Sequence, residues 1–147
     1  MDYYNNIIQI IPGIFVSDNK ITLSQNKLND FNINYVININ NIITEKKVTS
    51  FNILVNSNNQ FYDTSELPKI DFNKTNDFII NALQNNSNIL IADVSLNVPL
   101  LIVGAFLIRY LNLTYTETIY WIVKKSNIQG ISKNICSQLF TFYTELN

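Results

Sequence analysis

The order of apolar segments predicts an α/β domain, a central sheet of about four or five strands flanked by helices on both faces. Short β-branched runs alternate with helix-period patterns through the first two thirds of the chain. A strand–loop–helix unit then runs from Asn88 to Tyr110, and the remaining third reads as helix. Such a unit places free backbone N–H groups and the positive end of a helix dipole together, the usual architecture of an anion site.

Taken in order, Ile7 to Ile11 alternates into the turn signal Pro12-Gly13, and Ile14-Phe15-Val16 continues as a second short strand. Ser24 is placed to cap a helix that carries Leu28 and Phe31 inward. Ile33 to Asn40, with Val36, Ile37 and Ile39, marks a strand, and Asn41 to Ser50 is polar enough to read as a connection. Phe51 to Val55 is the next strand, ending in Asn56-Ser57-Asn58-Asn59, with loop-like sequence through Pro68. From Asp71 to Leu83 the residues Phe72, Ile79, Ala82 and Leu83 recur at helical spacing. Ile89, Leu90 and Ile91 then read as a buried strand, Ala92 to Val98 as a tight loop, and Pro99 as the first residue of a helix, where its missing N–H costs nothing. Helices over Tyr115 to Lys125 and Ile131 to Leu146 follow, the second with Ile131, Ile135, Leu139, Phe142 and Leu146 on one stripe. Trp121 and the Tyr and Phe residues are expected at the core or its edge.

The 147 residues are read as a single domain, 1–147, long enough to bury a core. A formal net charge of -1 gives no electrostatic reason to expect nucleic acid or an anionic membrane as partner. No apolar run approaches the length of a membrane span, and Met1-Asp2-Tyr3 opens without a basic leader, so an intracellular, cytoplasmic protein is expected. On that expectation the Asn-x-Ser/Thr triplets at Asn73, Asn85 and Asn112 are accidents of an asparagine-rich chain. One cysteine, Cys136, rules out an internal disulfide. The absence of His removes imidazole bases and imidazole metal ligands, and neither a metal nor a cofactor is expected. Asn and Ile dominate while Gly occurs three times and Arg once, a bias that resembles the product of an AT-rich coding sequence, with poxviruses and some protists as candidate sources.

The order of elements resembles the dual-specificity phosphatases, the cysteine-based family that includes poxviral enzymes. Ile10 to Asp18, IIPGIFVSD, looks like that family's opening strand pair, and Leu28 followed by INYVININ like its first helix leading into an I-x-x-V-I-N strand. FNILV is similar to the strand before the general-acid loop, and NILIADVSLNVPLLIVGAFLI to the signature strand, loop and helix. Gln138-Leu139 and Phe142 resemble the closing Q-L-x-x-[FY] helix. The resemblance covers nearly the whole chain and implies a dual-specificity-phosphatase-like α/β fold.

In that family the signature loop reads H-C-x-x-G-x-x-R-[ST]. Its thiolate, held low in pKa by loop amides and the helix dipole, attacks phosphorus. Its Arg forks onto the phosphoryl oxygens, its Gly lets the backbone close around them, and an Asp on a neighbouring loop protonates the leaving oxygen. Matching Ala105-Phe106-Leu107 to the family's A-Y-L is the preferred register. It puts Ile91 and Ala92 at the His-Cys pair, Ser95 at the Gly, and Val98 and Pro99 at the Arg-Ser pair, with Asn97 preceding the Arg position. Reading forward from the strand instead puts Asp93 at the Cys, Leu96 at the Gly and Pro99 at the Arg. In either register no Cys, Arg or Gly stands between Ile89 and Val103. The general-acid position falls on Asn56, Ser57 and Asn58, without a carboxylate before Asp63. Arg109 lies some ten positions into the helix, roughly 15 Å from its start, and Cys136 reads as a small packing residue in the last helix. Asp93 is either a strand-end turn residue, solvated or bonded to loop N–H groups, or a carboxylate standing where the phosphate would be.

The resemblance together with the emptied loop implies a catalytically inactive pseudophosphatase that binds another protein, a host signalling protein or an active phosphatase. A homodimer, a structural component of a virus particle (which would place the chain in virions as well as host cytoplasm), and a residual phosphatase are the alternative expectations.

Overall fold

The computed structural model describes residues 7–18, 24–40, 46–53, 70–93 and 95–146. Five strands form one sheet in the order β1-β2-β5-β3-β4. Strands β1 (Ile7–Ile11) and β2 (Ile14–Ser17) make the antiparallel hairpin foreseen at Pro12-Gly13. Gly13 is required there twice over: its φ is +91°, and a Cβ would stand 2.7 Å from Leu83 Cδ2. β3 (Ile33–Ile39), β4 (Thr49–Ile53) and β5 (Asn88–Ala92) are parallel to their neighbours, with β5 at the centre between β2 and β3.

A parallel strand is covered on both faces, which explains why β5 carries apolar residues without alternation. Ile89 and Ile91 pack with Ile14, Val16, Ile37 and Ile39 in the larger core cluster. Leu90 and Ala92 face the other way, with Phe15, Val36 and Leu28. Leu28 comes from α1 (Gln25–Asp30), whose Ser24 cap accepts the Lys27 N–H at 3.2 Å, as its sequence foretells.

The larger cluster is closed by the remaining helices. α2 (Phe72–Gln84) begins one residue later than expected because Asp71 is its cap, accepting from Asn73 and Lys74 N–H at 3.1 and 3.2 Å. Phe78 sets α2 over the sheet through ring contacts with Tyr35 and Phe51 at 5.7 and 5.5 Å. α3 (Asn97–Tyr110) is buried from Val98 to Ile108. A helix apolar around its whole circumference has no face to offer water and goes inside. α4 (Tyr115–Ser126) and α5 (Lys133–Leu146) pack across α3 where Gly104 leaves room for Leu139 and Thr118. Trp121 of α4 donates its indole N–H to the Ile10 carbonyl of edge strand β1 at 2.9 Å.

Several boundaries differ from the sequence reading. β4 starts at Thr49, inside the stretch read as a connection, and residues 54 and 55, read as its end, lie outside the described residues. As an edge strand with exposed Thr49, Ser50 and Asn52, β4 lacks the apolar pattern that marks a central strand. α5 starts at Lys133 rather than Ile131, after Ser132, whose Oγ accepts the Ile135 N–H at 3.2 Å. The most consequential shift is α3, which opens at Asn97, two residues before Pro99.

Candidate functional site

Sequence reasoning places the site at the carboxyl end of β5, where the chain turns into α3. Paired residues of neighbouring parallel strands point to the same face. Ser17, Ala92 and Asn38 therefore form one row across β2, β5 and β3 at the end of the sheet. Ala92 is still strand, fully buried, and belongs to the apolar cluster of Phe15, Leu28 and Val36 on the α1 side. The loop expected from Ala92 to Val98 is shortened at both ends, since Ala92 belongs to β5 and Asn97 opens the helix.

Asp93 is the first residue to leave the strand. Its N–H continues the ladder to the Ser17 carbonyl at 3.1 Å, and its side chain is fully buried. The solvated form of the turn reading is thereby corrected: Asp93 accepts a hydrogen bond from Asn40 Nδ2 at 3.5 Å instead of facing water. Asn40 sits just past β3 with a left-handed φ of 62°, which turns the chain at the strand end. Nothing in the sequence reading singled out Asn40. Its signal was an Asn directly after an apolar strand, a residue type that tolerates this backbone.

Ser95 and Leu96 are half-buried, and Leu96, the residue at the cap of α3, offers no side-chain acceptor. Ser95 Oγ accepts the Asn97 N–H at 3.4 Å, and the first intrahelical bond runs from Leu100 N–H to the Leu96 carbonyl at 2.9 Å. Pro99 is the third residue of the helix, not the first as expected, and supplies no N–H. It is tolerated because first-turn donors have no partner inside the helix. The helix terminus consequently has one donor fewer to turn toward an anion. Val98 and Pro99 are both buried, so neither side chain reaches the surface beside the turn. Ile91 lies one residue back in β5, on the opposite face from Ala92. The residues expected at the general acid, Asn56, Ser57 and Asn58, lie outside the described residues.

Arg109 and Cys136, the one arginine and the one cysteine of the sequence, are held away from this turn. Arg109 follows Asn97 by twelve residues of continuous helix, a rise of about 18 Å. Its guanidinium donates to Asn73 Oδ1 and lies 5.5 Å from the Tyr110 ring centroid. Cys136, half-buried in α5, sits against Tyr115. Burial, and next a hydrogen bond with Cys136, push the Tyr115 phenol above its usual pKa. Among the described residues no cluster of three or more His, Cys, Asp or Glu is arranged to hold a metal, and no helix is long and apolar enough to cross a membrane.

No family model and no curated protein sequence matches this chain. Solved structures do. A leucine-rich repeat and phosphatase domain containing protein of Entamoeba histolytica is 20% identical over 96% of this chain and 92% of its own, with a TM-score of 0.70. DUSP15 gives a TM-score of 0.76 at 20% identity, over 95% of this chain and 88% of its own. The fold is that of the dual-specificity phosphatases. Human tyrosine phosphatase-like serine/threonine/tyrosine-interacting protein has the same fold, with a TM-score of 0.74 at 16% identity over 95% and 97% of the two chains. On this dual-specificity phosphatase fold, the β5–α3 turn carries a carboxylate, a hydroxyl and an amide from Asp93, Ser95 and Asn97. It carries no thiol and no cationic side chain from Ile89 to Val103.

Proposed function

We propose that the chain is a catalytically inactive protein of the dual-specificity phosphatase fold that acts by binding another protein. One observation carries the reading: the strand, turn and helix terminus of an anion site are in place, while Ala92 or Asp93 and Val98 or Pro99 stand where the resemblance puts thiolate and guanidinium. Phosphoryl transfer in the family the chain resembles uses a thiolate nucleophile and positive charge on the equatorial oxygens, and the turn supplies neither a thiol nor a cationic side chain. The buried Asp93 side chain brings no positive charge to the strand end where a phosphoryl group would sit. A neighbour in fold that is named a tyrosine phosphatase-like serine/threonine/tyrosine-interacting protein supports the reading. The expected partner is a signalling protein, either a phosphatase or a phosphatase target.

Titration with orthovanadate, followed by backbone amide NMR and paired with an aryl phosphate hydrolysis assay, tests this reading. The expected result is no saturable shift at the amides of residues 93–98 up to about 10 mM, the regime of non-specific binding, and no turnover above buffer. Submillimolar vanadate binding at those amides, or turnover abolished by Asp93→Asn, would overturn it.

A further inference from the structure

The outer face of α4 presents a stripe centred on the exposed Tyr120. Glu117, Tyr120 and Lys124 recur at i, i+3 and i+7 on one face of α4, and Leu113 lies just before its cap, half-buried against the core. Tyr120 is 62% exposed, the most open large hydrophobic side chain among the described residues. Beside it lies a groove of about 480 Å³ lined by Leu113, Thr116, Glu117, Tyr120 and Trp121. The Trp121 N–H is already committed to Ile10, so the indole presents only apolar surface to the groove.

The two charges on the stripe do not pair with each other. Glu117 and Lys124 are two turns apart, about 10 Å along the axis, and the neighbours of Lys124 one turn back are Tyr120 and Trp121. The Lys124 ammonium rests over the Tyr120 ring at 5.6 Å and that of Lys125 over Trp121 at 5.0 Å, and neither meets a carboxylate among the described residues. Glu117 Oε1 accepts the Thr114 N–H and keeps its charge directed at the N-terminal end of the stripe.

The acid lies one turn before Tyr120 and the base one turn after it. That arrangement is self-complementary under a two-fold axis, the symmetry of most homodimers. From it we infer that α4 is the contact between two copies of this chain, paired antiparallel about an axis between Tyr120 and Trp121. Glu117 of each copy then faces Lys124 of the other, and Tyr120 enters the opposite groove. The two ion pairs form at the rim of an apolar centre, where they fix register and direction. A parallel pairing would set Glu117 against Glu117 and Lys124 against Lys124. A net charge of -1 leaves no long-range repulsion between copies. The inference is independent of whether the β5–α3 turn binds anions.

Sedimentation equilibrium of the full chain over a concentration series provides the test, with Trp121, the sole tryptophan, as fluorescence reporter. A monomer–dimer equilibrium is expected, accompanied by a shift in Trp121 emission. Lys124→Glu replaces two attractions by two repulsions and should weaken the dimer about tenfold or more. Tyr120→Ala should weaken it at least as much, and circular dichroism should show both variants folded. An equimolar mixture of Lys124→Glu and Glu117→Lys chains should recover dimers as heterodimers. A monomer up to about 1 mM, the limit of meaningful affinity, would overturn the inference. So would a dimer indifferent to both Lys124→Glu and Tyr120→Ala, or one that charge exchange fails to restore.

Discussion

Asn76 offers the sharpest test of how the interior of this fold is held. It lies on the inward face of α2 with Thr75, Ile79 and Ala82, is fully buried, and neither its Oδ1 nor its Nδ2 has a hydrogen-bond partner among the described residues. A buried polar group left unsatisfied costs about 1–3 kcal/mol. Leu has a similar branched outline, forms helix better than Asn by a few tenths of a kcal/mol, and buries apolar rather than polar atoms. Its slightly greater volume offsets part of that gain through overpacking. Asn76→Leu is therefore expected to stabilise the protein by about 1–3 kcal/mol, which for a chain of this size raises Tm by roughly 3–10 °C. Urea denaturation followed by the Trp121 signal measures it directly, with an unchanged m-value confirming the same two-state transition. Asn76→Ala is the control. It removes the same polar atoms but leaves a void, and should fall below Asn76→Leu. A loss of more than about 1 kcal/mol in Asn76→Leu would refute the reasoning, because it would mean that the amide makes bonds worth more than its desolvation.

At the entrance of α4, Thr114 Oγ1 accepts the Glu117 N–H at 3.1 Å while Glu117 Oε1 accepts the Thr114 N–H at 2.9 Å, and Thr114→Ala should cost about 1 kcal/mol in chemical denaturation. Those bonds hold the Glu117 carboxyl below its ordinary 4.5. Since the folded value is the lower one, the contribution is complete above 4.5 and disappears as pH falls through the folded value, so amide exchange in the first turn of α4 should rise only in that acid window. At Gly104 a Cβ would meet Leu139 Cδ1 at 2.9 Å and Thr118 Cγ2 at 3.4 Å; Gly104→Leu should destabilise by about 3 kcal/mol, and a neutral Tm would show that α5 can slide away from α3. Val98→Arg buries an unpaired guanidinium and should cost several kcal/mol in chloride buffer. If the turn is no longer an anion cradle, vanadate will return less than about 1 kcal/mol of that loss, whereas full recovery would count against the proposed inactivity.

Much of the architecture could be read from the chain because local signals agreed with one another. Ser24 and Asp71 announce helix starts, Pro12-Gly13 a hairpin, and the unbroken apolar run of β5 a central strand. The edge strand β4 was less legible because its exposed Thr49, Ser50 and Asn52 make the sheet boundary look like a connection. The start of α3 was misplaced because Pro99 tolerates any first-turn position, not only the first. The box Thr114-x-x-Glu117 is the sequence signal for the start of α4, in agreement with a helix read from Tyr115. At the candidate site, residue types declared what the turn lacks. Which face Ala92 takes, and that Asp93 meets Asn40, depended on strand register and on a contact between residues fifty-three positions apart.

Asparagines at 32, 40, 86, 112 and 127 all adopt left-handed backbone, with φ between 53° and 62°, after α1, β3, α2, α3 and α4. These are corners where glycine is the common choice, and Asn is the other residue that tolerates them. Codon bias can therefore strip a protein of glycine without disturbing its topology, so long as asparagine inherits the bends. The same bias is legible at two depths of the molecule, as asparagine at the bends and as isoleucine in the packed interior.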